Sequence, residues 1–196
     1  MILLVLFWAA ALFILYTYVG YPALIGLLAR RRPQLACPLL DHESLPRLTV
    51  VMAGYNEAAR LPGKIANLRA LDYPQDKIDI LVVSDGSTDA TATVLQGAPG
   101  VRTISYAQRQ GKAYALNLAL AQVQTEFVVF CDVRQDLEAG SVRRLISDFC
   151  DPAVGAVSGE LVHRPSSTQT GQSIGLYWRY EKAIRKSESR YHSTVG

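Results

Sequence analysis

Between Ile2 and Ala29 the sequence has no charged side chain. At helical rise this run is more than long enough to cross a bilayer. A buried helix of a soluble protein would rarely run so long without a polar face. A secretory signal fits poorly, because no basic residue precedes the run and Arg30, Arg31 and Arg32 follow it. The same order of charge and apolar run counts against a lipoprotein signal at the QLAC stretch before Cys37. Cysteine is also scarce. Cys37, Cys131 and Cys150 are odd in number and lack CxxC spacing, which disfavours zinc, and buried or free thiols in a reducing compartment are expected. Basic residues do not interleave with aromatics in a stripe, which argues against nucleic acid. The net charge of +3 owes much to the arginine triplet, whose natural partners are anionic lipid headgroups.

A membrane anchor over residues 1–29 is therefore expected, with Trp8, Tyr16, Tyr18 and Tyr21 available as interfacial aromatics. Positive charges stay cytoplasmic, so the amino terminus should face outward and the rest should lie in the cytosol, here of a bacterial inner membrane. Residues 30–46 carry three prolines and read as a linker. Residues 47–196 then alternate apolar runs with helical patterns. LTVVMAG, IDILVVS, VRTISY, EFVVFCD and VGAVSGELV read as strands. Between and after them come helical stretches: NEAARLPGKIANLRAL with Asn56 as cap, DATATVLQ, GKAYALNLALAQV, AGSVRRLISDFC and SIGLYWRYEKAIRKSESR. This alternation predicts an α/β domain, a mostly parallel sheet with helices on both faces, preceded by one transmembrane helix.

In such sheets ligands gather outside the carboxyl ends of the strands. Four stretches qualify: Gly54-Tyr55-Asn56-Glu57, Asp85 to Asp89, Gln108 to Lys112, and Cys131 to Arg134. Asp85 ends a buried strand, which costs free energy unless donors meet the carboxylate. A nucleobase imide or a backbone turn could supply them. Ser87, Thr88 or Asp89 can cap the next helix. Arg109 and Lys112, with Gly111, open a helix in a way that suits a diphosphate. Asp132 gains meaning beside Asp85, as one carboxylate of a metal–diphosphate site for Mg²⁺ or Mn²⁺. Three signatures are missing: GxxxxGK[ST], GxGxxG after the first strand, and GxSxG. Their absence disfavours a P-loop NTPase, a dinucleotide oxidoreductase and an α/β serine hydrolase.

Taken in order, AGYNE, LDYP, VVSDGSTDAT, GKAYALN, FCDVR and VGAVSGEL resemble family 2 glycosyltransferases of the GT-A fold. The likeness is to the membrane-bound branch that includes cellulose, hyaluronan and poly-N-acetylglucosamine synthases. It runs from about Pro46 to Gly196, and the preceding YVGYP segment fits it too. The resemblance implies a nucleotide-sugar donor, usually a UDP-sugar, and a glycan or lipid-linked acceptor. It implies a donor site of Ala53, Tyr55, Glu57, Asp85, Gly86, Lys112 and Asp132. Tyr55 and Glu57 would flank base and ribose, Asp85 would meet the uracil imide, and Lys112 would lie near base or diphosphate. Asp132 would be the first acid of a DxD motif and a ligand of the metal.

Two departures follow from the same alignment of motifs. The second DxD acid is Arg134 here, and Asp136 is a nearby carboxylate at the wrong spacing. The acceptor base of the family lies in a later motif, so it is expected beyond Gly196. Glu160, His163, Glu181 and His192 are the acid–base candidates within the chain, and Trp178, Arg179 and Tyr180 read as an interfacial helix. The expected activity is inverting sugar transfer to a hydroxyl for polysaccharide or surface glycan, with this chain as a truncated donor-binding part. The alternatives are a non-catalytic nucleotide- or partner-binding membrane protein and a nucleotidyltransferase. The latter would want a glycine-rich loop that AGYNEAARLPGK does not provide.

Overall fold

The computed structural model describes residues 1–33, 37–162 and 169–192, the side chains of 169–176 excepted. It divides into two compact units, Met1–Ala36 with Glu160–Gly196, and Cys37–Gly159.

The second unit is built on four strands: β1 (Leu48–Gly54), β2 (Ile78–Asp85), β3 (Val101–Tyr106) and β4 (Phe127–Phe130). They are parallel throughout and lie in the order β3-β2-β1-β4. The central strands β1 and β2 are apolar on both faces because both faces are covered, as parallel sheets require. Alternate residues divide between the two. Val50, Met52, Ile80 and Val82 pack against α3 (Leu61–Arg69), α4 (Thr91–Gln96) and α6 (Ser141–Ser147) through Leu61, Leu68, Leu95, Val142 and Ile146. Val51, Leu81 and Val83 face α5 (Lys112–Leu120), whose Ala115 and Ala119 allow the helix to lie close. The chain grows from β1 outward to β3 and then returns to the far side of β1 for β4. The point where the direction reverses, between the carboxyl ends of β1 and β4, is where such sheets open a crevice.

Three local expectations change. The first helix of this unit starts at Leu61, not at Asn56, whose φ of 56° belongs to the left-handed region and ends any continuity with a helix. Asparagine tolerates that region because its short amide can bond locally. The VGAVSGELV stretch joins no ladder. Gly155 and Gly159 weaken it as a strand, and most of it is exposed. Cys37 and Cys150, expected as thiols, are joined across 113 residues with a Cα–Cα distance of 5.9 Å, while Cys131 is free. They meet because residues from Cys37 onward lie along α6. The Leu40 N–H donates to Ser147 Oγ at 3.0 Å, and Arg143 Nε donates to the Leu40 carbonyl at 2.8 Å. Nothing in the cysteine spacing announces this docking.

In the first unit, one continuous helix of 29 residues, Ile2–Arg30, has a mean hydropathy of 2.4 and is long and apolar enough to cross a membrane. It consists of α1 (Ile2–Leu15), a π-helical turn at Tyr16–Gly20 and α2 (Tyr21–Arg30). α2 packs along α7 (Gln169–Tyr191). The Tyr180 hydroxyl donates to the Tyr18 carbonyl at 2.6 Å, the Tyr21 hydroxyl donates to the Glu188 carboxylate, and Arg190 donates to the Arg32 carbonyl.

Candidate functional site

The loops that follow all four strands meet on the carboxyl side of the sheet. Those after β1 and β2 are fastened by hydroxyls and amides. The Asn56 N–H donates to Ser87 Oγ at 3.1 Å, and the Thr88 N–H donates to Asn56 Oδ1 at 2.9 Å. The Glu57 N–H donates to Thr91 Oγ1 at 2.9 Å, and Asp89 accepts from the Ala58 and Thr91 N–H groups at 3.3 and 2.9 Å. Asp89 therefore accepts the first N–H of α4 from the position before the cap, which is Ala90, and also holds the β1 loop. The polar run SDGSTDAT fixes the backbone from which Tyr55 and Glu57 project.

Asp85 is the buried acid of this arrangement, its side chain only 5% exposed. Its Oδ1 accepts from the Tyr106 hydroxyl at 2.9 Å and the Gln110 N–H at 2.7 Å, and its Oδ2 accepts from the Gly111 N–H at 3.0 Å. Tyr106 is the β3 residue paired with Asp85 in register, so the ladder itself delivers the hydroxyl. Burial pushes the Asp85 carboxyl up, but these donors, joined by Arg109, outweigh it and hold the group below its usual range. Burial and the Asp85 charge together push Tyr106 up to about 12, so its hydroxyl stays a donor. Gly86, at φ 63°, makes the close approach possible: a Cβ there would lie 2.3 Å from the Arg109 nitrogen. Of the two satisfiers open to Asp85 from the sequence, the backbone turn is present in the structure.

Tyr55 and Arg109 face each other, with the guanidinium carbon 4.3 Å from the ring centroid. Arg109 thus links the β1 loop to the β3 loop by a cation–π contact. Ala53, two residues before Tyr55, is half-buried against the α5 side of the sheet.

Across the β1–β4 switch point, Arg134 Nε donates to Glu57 Oε1 at 2.7 Å, and Arg60 holds Glu57 Oε2 at 3.1 Å. Glu57 is buried at 6% exposure, whereas Arg134 is 63% exposed. A pair with so much solvent on one partner is worth about 1 kcal/mol or less. Asp132 lies alongside. Its Oδ1 accepts the Arg134 N–H at 2.9 Å and its Oδ2 accepts from Lys112 Nζ at 3.2 Å. The Arg134 N–H and Lys112 hold Asp132 below its usual range against the push of burial. Sequence reasoning missed Lys64. It is buried beneath this corner, and its Nζ donates to the Gln135 carbonyl at 2.6 Å. Its position in α3 after Pro62-Gly63 marks it as helical but does not mark it as inward-facing. Beside it, burial pushes the Cys131 thiol up, which removes Cys131 as a nucleophile at neutral pH.

A divalent metal finds a thin donor set here. Asp132 is a single carboxylate whose two oxygens already accept, and the Arg134 guanidinium shares the crevice. Among the described residues no three His, Cys, Asp or Glu side chains converge. These residues do not fit a metal held by the protein alone. The acid–base candidates belong to the other unit. Glu160 is paired with Lys182 at 2.7 Å and Lys186 at 2.9 Å, which pull it down to about 2 and make it a weak base. Glu181 pairs with Arg185 at 2.7 Å, and the His192 N–H continues α7 by donating to the Glu188 carbonyl at 2.9 Å. His163 lies outside the described residues.

The chain has counterparts among known proteins. The chain is 29% identical over 162 residues to the Beta-monoglucosyldiacylglycerol synthase of Synechocystis sp. (strain ATCC 27184 / PCC 6803 / Kazusa), covering 77% of this chain and 34% of that protein. It is 26% identical over 154 residues to the Poly-beta-1,6-N-acetyl-D-glucosamine synthase of Staphylococcus epidermidis, covering 76% and 37%. The chain thus spans about a third of the length of these curated relatives. Among solved structures, a Mannosyltransferase, PcManGT from Pyrobaculum calidifontis in complex with GDP-Man and Mn²⁺, overlays with a TM-score of 0.69. That pair is 29% identical, over 93% of this chain and 51% of that one. Residues 49–194 match the model of Glycosyl transferase family 2, which includes all four strand-end loops. The chain belongs to glycosyl transferase family 2, and its parallel sheet is of the GT-A kind.

Proposed function

We propose that this chain carries the donor site of a membrane-anchored, inverting glycosyltransferase. The enzyme moves a sugar from a nucleoside diphosphate to an acceptor hydroxyl in polysaccharide or surface-glycan synthesis. The observation that carries this reading is the meeting of Glu57, Asp85, Lys112 and Asp132 from four strand-end loops, with Glu57 and Asp132 joined through Arg134 at the switch point. Tyr55 offers a ring face to the base once Arg109 turns from it to phosphate. Glu57 lies toward the ribose. Asp85 Oδ2 accepts one short hydrogen bond from the protein and has a lone pair left for a base N–H. Gly86 keeps the backbone low beneath that base. Lys112, at the positive start of α5, faces the diphosphate, and cationic groups there stabilise the departing nucleotide. A UDP-sugar is the first donor to test. GDP-mannose stands beside it, because the mannosyltransferase that overlays on this chain binds it.

The anchor is the helix Ile2–Arg30, with residues 30–46 leading from it to a cytoplasmic domain at 47–196 and the arginine triplet on anionic headgroups. Glu160 is paired with Lys182 and Lys186 and Glu181 with Arg185, so neither is assigned as the acceptor base. The curated relatives, one named for a glucosyl-lipid and one for a polysaccharide, leave the acceptor as a lipid or a glycan.

The test is release of UDP or GDP from a panel of nucleotide-sugars, by membranes carrying the full-length gene product. Lys112→Gln should cut turnover by about 100-fold, the scale of losing one cationic donor that stabilises the leaving group. Equal turnover with and without Lys112 contradicts the reading.

A further inference from the structure

Three exposed cations ring the crevice, and each is held by a carboxylate: Arg109 by Asp85, Lys112 by Asp132 and Arg134 by Glu57. Arg134 differs from the other two. It occupies the place of an acid in the resembling motif, and its partner does not depend on it, because Arg60 remains on the other oxygen of Glu57. The guanidinium is 63% exposed at the mouth of the crevice, two residues from Asp132. A guanidinium offers paired N–H donors that match a phosphate's oxygens. Next to it, a divalent cation would meet like charge and a carboxylate already shared with Lys112.

We propose that Arg134 leaves Glu57 for the donor's diphosphate and supplies there the positive charge a divalent ion would otherwise supply, so that the nucleotide binds without metal. Glu57, released on one side and still paired with Arg60, is then free to accept from the ribose. The inference rests on the donor-site reading above.

The experiment is equilibrium binding of UDP and of GDP to the full chain in detergent, in EDTA and in Mn²⁺, with far-UV circular dichroism confirming that each variant is folded. The wild-type protein should bind one of the two nucleotides with affinities in EDTA and Mn²⁺ that agree within about threefold. Arg134→Gln should weaken binding in EDTA by about tenfold, and Arg134→Lys should recover part of the loss. Arg134→Asp, which restores a second acid, should bind only when Mn²⁺ is present. Wild-type binding that falls about tenfold or more in EDTA overturns the inference and leaves the donor site standing. So does an Arg134→Gln protein that matches wild type in EDTA. Failure of both nucleotides to bind under either condition overturns the donor-site reading, and the Arg134 assignment with it.

Discussion

Asp85 shows how one residue organises a loop 25 positions away. Its carboxylate gathers two backbone N–H groups and a hydroxyl, and charge-assisted hydrogen bonds of this kind are worth about 1.5–3 kcal/mol each. Asp85→Asn should therefore cost about 2 kcal/mol in denaturant unfolding, since an amide offers one acceptor oxygen where the carboxylate offers two. The pH dependence has a fixed sign. The folded carboxyl is held below its unfolded value, so its contribution is complete above the ordinary carboxylate pKa of about 4 and is lost as pH falls through the folded value. The gap between wild type and Asp85→Asn should be flat from pH 8 to about 5 and close in stronger acid. A gap that instead widened below about pH 4 would contradict this assignment. Gly86 is the companion case. Gly86→Ala forces a side chain into the left-handed region and against the Arg109 backbone, and should cost about 2 kcal/mol or more, with proteolysis appearing first near Gln108–Gly111. The presence of an acid at the strand end could be read from VVSDGSTDAT. The donors that meet it could not, because two are backbone groups of another loop with no residue signature and the third, the Tyr106 hydroxyl, depends on strand register.

Elements were legible in proportion to their burial. β1 and β2 stand where continuous apolar runs end in glycine or acid, because both faces of each are covered, whereas the edge strand β3 keeps Arg102 and Ser105 exposed. α3 was read too early, since Asn56 and Glu57 look like a helix start while their polar groups are committed to Ser87, Thr88 and Thr91. The fifth apolar run looked like a strand by composition, yet composition says nothing about a pairing partner. The hydroxyl ties between the first two loops give another prediction. Thr91→Val keeps the shape and removes the acceptor for the buried Glu57 N–H, and should cost about 1–3 kcal/mol while loosening Tyr55 and Glu57. Amide exchange of residues 55–58 measures it. An exchange pattern identical to wild type would show that Thr91 does not hold the loop.

At the scale of the molecule, the Cys37–Cys150 pair reports on the compartment. Such bridges persist in oxidising surroundings, whereas the proposed cytoplasmic domain would hold the two as neighbouring thiols. Alkylation of the protein, denatured without reductant straight from cells, should therefore label Cys37, Cys131 and Cys150 alike. Labelling of Cys131 alone would place the domain on the oxidising side and reverse the proposed orientation. The layered α/β order and the crevice at the strand ends could be read from the alternation of runs. The switch point could not, since it depends on β4 returning to the far side of β1. The central claim is that the crevice formed by four strand-end loops is where a nucleotide-sugar binds. Hydrogen exchange of the full chain in detergent, with and without saturating UDP-sugar or GDP-mannose, tests it most directly. Protection should rise together at residues 54–58, 85–91, 108–112 and 132–135, and stay unchanged at the opposite strand ends, Leu48, Ile78, Val101 and Phe127. Protection confined to those opposite ends, or no change with either donor, would contradict it.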